Sequence, residues 1–170
     1  MALAVQIINK IKANHPILFR LRLATVSYLI KNSTILFKMK GERIYSEDKR
    51  VDQAVYILLY GRCKLKKSSK TLGIKMGIGY VFNEESLFPH ENPDHSRSQH
   101  LESLISTEES ALLRVDNQIF SDMIDLSSAR NRGASPHMME DQDLLWELFE
   151  RHHFVKSAIR INANLIGDMP

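Results

Sequence analysis

From residue 35 onward the apolar side chains change from helical spacing to alternation, and that change restricts the fold more than any other feature. Ile35, Phe37 and Met39 alternate with Leu36, Lys38 and Lys40, a period of two that fits a strand. Gly41-Glu42 makes a turn, and Arg43-Ile44-Tyr45 begins a second strand. Ser46 to Arg50 is a polar loop. Val51 to Tyr60 is rich in β-branched and aromatic residues, and Gly61 breaks it. Arg62 to Lys66 alternates again, Lys67 to Lys70 reads as a hairpin tip, and Thr71 to Met76 as the return strand. Ser103 to Ile105 and Ala111 to Val115 are strand-like, with Thr107 to Ser110 as the turn between them. Roughly seven short strands at such spacing pair antiparallel in a sandwich, roll or barrel.

Helical patterns flank this run. Leu3, Ala4, Ile7, Ile8 and Ile11 predict an amphipathic helix over residues 2–13, stopped by Asn14-His15-Pro16. Its apolar stripe packs on a core or docks a partner. In residues 17–31, Leu18, Leu21, Thr25, Tyr28 and Leu29 share a second helical face. Asp116 is placed to cap a helix running to about Leu126, with Ile119, Phe120, Met123 and Ile124 inward. Residues 127–138 have the composition of a linker. Leu144, Leu145, Leu148, Phe149, His152, Val155 and Ile159 make a broad stripe on a final helix over 141–166. The expected division is an N-terminal helix (1–15), a central domain (16–126), a linker (127–138) and a C-terminal helix (139–170).

Composition narrows the function. Net charge is +3, from 23 basic and 20 acidic residues. The signs are interleaved, so the excess gives no footprint for nucleic acid. One cysteine, Cys63, excludes an internal disulfide and suits a reducing compartment. No apolar run has the length of about 18 residues that spans a bilayer. The start of the chain lacks a signal-peptide layout, and its first basic residue is Lys10, late for a mitochondrial presequence. The expected location is intracellular and cytoplasmic, with mitochondrial or ciliary assemblies also compatible.

One further stretch carries chemistry. Gly77 and Gly79 lead into Tyr80-Val81-Phe82-Asn83-Glu84-Glu85-Ser86-Leu87-Phe88. Glycines followed by two acids predict a tight turn running into one helical turn. The start of such a turn offers backbone N–H groups, a cradle for phosphate.

The order of these pieces resembles the cyclic nucleotide-binding domain family from about Ile17 to Leu126. Pro16-Ile17-Leu18 looks like the lead into its first helix, and Gly41-Glu42-Arg43-Ile44 like its Gly-Glu-x-Ile turn. Asp52 with Tyr56-Ile57-Leu58-Leu59-Tyr60-Gly61 looks like its Asp…Tyr-Ile-Ile-x-x-Gly strand. Gly79 to Phe88 looks like its phosphate-binding cassette, and Leu113-Arg114-Val115-Asp116 with Phe120 like its last strand and hinge helix. The resemblance implies an α+β fold. It would be an antiparallel β-roll (a double-stranded β-helix, jelly-roll-like) with helices at both ends. It also implies a cyclic nucleotide, cAMP or cGMP, as ligand. Gly79 and Phe82 would shape the turn, Glu84 would accept from the ribose hydroxyl, and Glu85, Ser86 and Leu87 would supply N–H donors.

Two departures change that expectation. Asn83 stands where the family has glycine, although Asn tolerates positive φ better than most residues. The phosphate-binding arginine falls in register with His100-Leu101-Glu102. Histidine is mostly neutral at pH 7, and Arg97 reaches the position only if the strand slips by three residues. A phosphate without its arginine loses several kcal/mol, about a thousandfold in affinity. The expectation is a non-enzymatic regulatory or protein-interaction domain with nucleotide binding weakened or lost. The alternative is a working cAMP or cGMP sensor using Glu84 and Arg97. Partner subunits would meet the N- and C-terminal helices.

The remaining clusters are read structurally. His90, His95 and His100 with Glu91 and Asp94 match no compact zinc spacing and read as a solvated loop; no metal is expected. Cys63 reads as a buried thiol, with no base beside it to make it a nucleophile. Lys64, Lys66, Lys67, Lys70 and Lys75 gather on one hairpin. That hairpin is either solvated or in contact with an acidic partner.

Overall fold

The computed structural model describes residues 9, 11–68, 70–71, 76–87, 99–100, 102–124, 141, 143–152 and 154. Eight strands are named among them: β1 (Thr34–Lys38), β2 (Arg43–Tyr45), β3 (Ala54–Tyr60), β4 (Cys63–Lys67), β5 (Lys70–Thr71), β6 (Val81–Phe82), β7 (Ser103–Ser106) and β8 (Ser110–Asp116). They form two antiparallel four-stranded sheets, ordered β1-β8-β3-β6 and β2-β7-β4-β5. This is the expected antiparallel β-roll of an α+β fold. The chain crosses between the sheets repeatedly, so each buries its inner face on the other.

Burial follows the pleat along β4. Cys63 and Leu65 are buried while Lys64 and Lys66 are half-buried on the other face. β3 and β8 are central, and Val55, Ile57, Leu112, Leu113 and Val115 are all buried. β1 departs from its expected alternation. Leu36 packs on the core, whereas Phe37 is 79% exposed and Ile35 and Met39 are also exposed. Three consecutive apolar residues let either face turn inward, and the register with β8, pairing Phe37 with Ala111, decides it.

The N-terminal region bends where one continuous helix was expected. A 3-10 turn (Leu18–Arg20) ends at Leu21, whose extended backbone restarts the chain as the helix Leu23–Lys31. Leu18, Leu21, Thr25, Tyr28 and Leu29 are nevertheless all buried, because the offset keeps them on one side. The stripe predicted over 2–13 is described only at residues 9 and 11–14, which are helical, and Ile11 packs against the core.

Asp116 does not cap the helix that follows. Its carboxylate accepts a hydrogen bond from Arg114 instead, and the helix Asn117–Ile124 begins with the Asn117 N–H bonded to Gln53 O. The final helical residues, 141, 143–152 and 154, join the main core through Leu145, Leu148 and Phe149. Phe149 meets Phe120 edge to face at 5.3 Å. Trp146 is half-buried and Phe154 exposed, while Val155 and Ile159 lie outside the described residues. The linker at 127–138 also lies outside them. Among the described residues no helix is long and apolar enough to cross a membrane.

Candidate functional site

The cassette starts at a glycine that nothing else can replace. Gly79 has φ +93°, and a Cβ there would lie 2.3 Å from Pro16 Cγ. Its N–H bonds Leu58 O, and Leu58 N–H bonds Tyr80 O. These bonds lead Val81 and Phe82 into register with Ile57 and Tyr56. Phe82 is fully buried.

Asn83 keeps the turn of the family glycine, with φ +59°. Its side chain does more than tolerate the conformation. Nδ2 donates to Asp52 O and Ala54 O, both at 2.7 Å, fastening the cassette to the start of β3. The predicted helical turn is a four-residue 3-10 helix, Glu84–Leu87. Ser86 N–H bonds Asn83 O, and the Ser86 hydroxyl donates to the same carbonyl at 2.7 Å. Asn117 Nδ2 donates to Ser86 O at 3.1 Å, which ties the turn to the helix after β8.

Glu84 has no solvent-exposed surface. Glu85, Ser86 and Leu87 are half-buried. Arg97 lies outside the described residues, as do His90 and His95.

His100 is not the solvated loop residue that the sequence predicts. It is buried, and its ring stacks on Tyr45 with centroids 4.2 Å apart and planes inclined by 13°. Backbone bonds from His100 N–H to Lys49 O and from Asp48 N–H to His100 O hold it there. Nε2 accepts the Asp52 N–H at 3.3 Å, which requires a lone pair on that nitrogen. Burial pulls its pKa below the ordinary value of 6.5, against the opposing pull of Glu85, Asp52 and Glu102. His100 is therefore a neutral imidazole that feels the charge of three carboxylates. Of these, Glu102 is itself buried.

An arginine does stand nearby, and it is engaged. Arg114 donates through Nε to Asp52 Oδ2 at 3.0 Å, through Nη2 to Asp52 Oδ1 at 2.9 Å, and through Nη1 to Asp116 Oδ1 at 2.6 Å. Tyr56 donates its hydroxyl to the same Asp52 carboxylate. The bond from Arg114 holds the Asp52 pKa below its ordinary value of 3.8. Burial, then Asp52 itself, pushes the Tyr56 hydroxyl up. A fork satisfied by two carboxylates has little left to offer a phosphate.

Beside this network opens a cavity of about 550 Å³, lined by Tyr45, Lys49, Arg50, Asp52, Tyr56 and His100 among others. The meeting of Tyr45, Tyr56 and His100 with the cations Lys49 and Arg50 has no counterpart in the sequence reading. They come together only through the pairing of β2 with β7 and of β3 with β8. Cys63 is buried, and burial pushes its thiol up to about 11, consistent with an inert structural role. Among the described residues no group of three or more side chains could hold a metal ion.

No protein-family sequence model matches the chain, and no curated protein sequence does. Solved structures do. A cyclic nucleotide-binding domain from Methylobacillus flagellatus KT matches with a TM-score of 0.65 at 11% identity, over 99% of this chain and 86% of that one. The sensor domain of the transcriptional regulator DNR from Pseudomonas aeruginosa matches with a TM-score of 0.55 at 14% identity, over 97% and 95%. A transcriptional regulator from Thermotoga maritima matches with a TM-score of 0.55 at 19% identity, over 83% and 96%. At these identities the likeness is one of architecture: the chain folds as the β-roll of the cyclic nucleotide-binding domains.

Proposed function

We propose that this β-roll serves as a regulatory or protein-interaction domain whose cyclic nucleotide binding is weakened or lost. The observation that carries the reading is the state of His100. The ring is neutral, stacked on Tyr45 and under the charge of Glu85, Asp52 and Glu102, and by the resemblance its position is the one expected to carry the phosphate-binding cation. A cyclic phosphate brought there gains no counter-charge and meets acids, which costs several kcal/mol. The burial of Glu84 supports the same reading, since the residue that the resemblance implies for the ribose is enclosed. The likeness to the sensor domain of a transcriptional regulator supports a regulatory role without catalysis.

Isothermal titration and thermal melting with cAMP and with cGMP test it. The expected result is no saturable heat and no rise in Tm at millimolar nucleotide. Binding at low micromolar affinity or better would raise Tm by mass action. That outcome would replace this reading with a working sensor.

A further inference from the structure

A second concavity, of about 310 Å³, lies on the sheet β2-β7-β4-β5 and touches no cassette residue. Lys40, Lys64, Lys66, Ile105, Ser106 and Thr107 line it. Since Cys63 and Leu65 are buried, the pleat of β4 turns Lys64 and Lys66 to the opposite face. Lys64 pairs across the sheet with Ile105, which pairs on its other side with Arg43. Lys40 arrives from the other sheet. The turn that carries it docks on the end of β7 by Gly41 N–H to Ser106 O at 2.8 Å and Ser106 N–H to Glu42 O at 2.9 Å.

Three ammonium groups thus share one concave site. Among the described residues none of the three forms an ion pair, and no carboxylate lines the cavity. The nearest acids in sequence are engaged or turned elsewhere: the Glu42 carboxylate accepts its own turn's Met39 N–H at 2.6 Å, and Glu108 and Glu109 are not lining residues. Backbone donors are spent, because the N–H groups of Gly41, Ser106 and Thr107 all bond carbonyls. Recognition here runs through lysine charge rather than a fixed fork, which suits a compact multiply charged anion. A phosphate monoester carries between one and two negative charges at neutral pH. The volume is at the lower end for ligand sites, enough for a phosphoryl head group.

We propose that Lys40, Lys64 and Lys66 form an anion site for a phosphate monoester, free or at the head of a lipid, separate from the cassette. The full chain would be titrated with inorganic phosphate while the amide resonances of Gly41, Ile105 and Thr107 are followed. In parallel it would be floated with vesicles of phosphatidylcholine with and without phosphatidic acid. Phosphate should shift those amides, and the double variant Lys64→Gln, Lys66→Gln should weaken binding about tenfold. Lys40→Gln, in an exposed turn, should act in the same direction without touching the sheet. Lys31→Gln, on the helix Leu23–Lys31, should change nothing. Flotation only with phosphatidic acid assigns the lipid as source, whereas phosphate binding without flotation assigns a free ester. The proposal fails if neither probe binds the wild-type chain. It also fails if the lysine variants bind as tightly as wild type, or if Lys31→Gln weakens binding equally.

Discussion

Arg114 of β8 clasps Asp52, in the segment just before β3, with two hydrogen bonds of 3.0 and 2.9 Å across 62 positions of sequence. β8 and β3 pair in a register that sets Arg114 opposite Tyr56, and Tyr56 donates to the same carboxylate. The clasp consumes a guanidinium that a nucleotide phosphate would otherwise compete for. It also fixes the Asp52 backbone, whose carbonyl receives Asn83 of the cassette.

Replacing Arg114 with Met should therefore lower stability by about 1 kcal/mol, a figure discounted for the exposure of both groups, or a few degrees in Tm. Asp52→Asn should flatten the acid limb of the stability curve. The folded carboxyl is held below 3.8, so its contribution is whole above that value and is lost as pH falls through the folded pKa. Urea denaturation from neutral to strongly acidic pH measures this. An unchanged acid limb in Asp52→Asn would sink the assignment.

A second pH window belongs to the buried imidazoles. His15 Nδ1 accepts the N–H groups of Ile17 and Leu18, at 3.2 and 3.1 Å, while Nε2–H donates to Leu58 O at 3.0 Å. Protonation would aim a third hydrogen at two donors. Burial pulls its pKa below 6.5, only partly offset by the bond to Leu58, and His100 shifts the same way. The unfolded chain takes up protons first, so stability is complete above about 6.5 and declines as pH falls toward the folded values. Denaturation midpoints should drop between pH 7 and pH 5, and less steeply in His15→Gln. Midpoints that stay level across that interval would contradict it.

The sequence exposes what is local and periodic. Alternation and turn residues gave the strands of the roll, and glycine spacing gave the cassette, since both are written in neighbouring positions. Side-chain partners set by cross-strand register were hidden. Nothing near His100 in sequence announces a stack on Tyr45, and the polar run before it points to solvent. Asp116 has the identity of a cap, but Arg114, two residues earlier on the same strand face, claims its carboxylate. Phe37 could have faced either way until β8 chose.

Asn83 distinguishes a tolerated substitution from a structural one. Changing it to Gly restores the family residue and relieves a positive φ, worth about 1 kcal/mol. It also deletes two hydrogen bonds to Asp52 O and Ala54 O beside a buried turn. Two carbonyls losing their donor cost more than the relief, so Asn83→Gly should be less stable by about 1 kcal/mol. It should gain no affinity for cAMP or cGMP, because the charge around His100 is unchanged. A stabilised variant, seen by thermal melting, would show Asn83 to be a passive replacement.

The C-terminal helical segment is held by a polar contact as well as by its apolar stripe. Asp141 is buried, and its Oδ2 accepts the Arg22 N–H at 2.9 Å together with the Thr25 hydroxyl. Arg22 is the extended residue before the helix Leu23–Lys31, which has no side-chain cap of its own. A carboxylate from far along the chain thus satisfies the positive end of that helix. Asp141→Ala leaves a hydroxyl and an amide without their acceptor and should cost about 2 kcal/mol, while Asp141→Asn keeps an oxygen and should cost about half as much. Because Leu145, Leu148 and Phe149 are anchored just beyond this contact, amide exchange at residues 143–152 should accelerate in Asp141→Ala more than exchange in β3 and β8. Uniform acceleration across the chain would show that the segment unfolds only with the roll, and that Asp141 adds global stability without fastening its own helix.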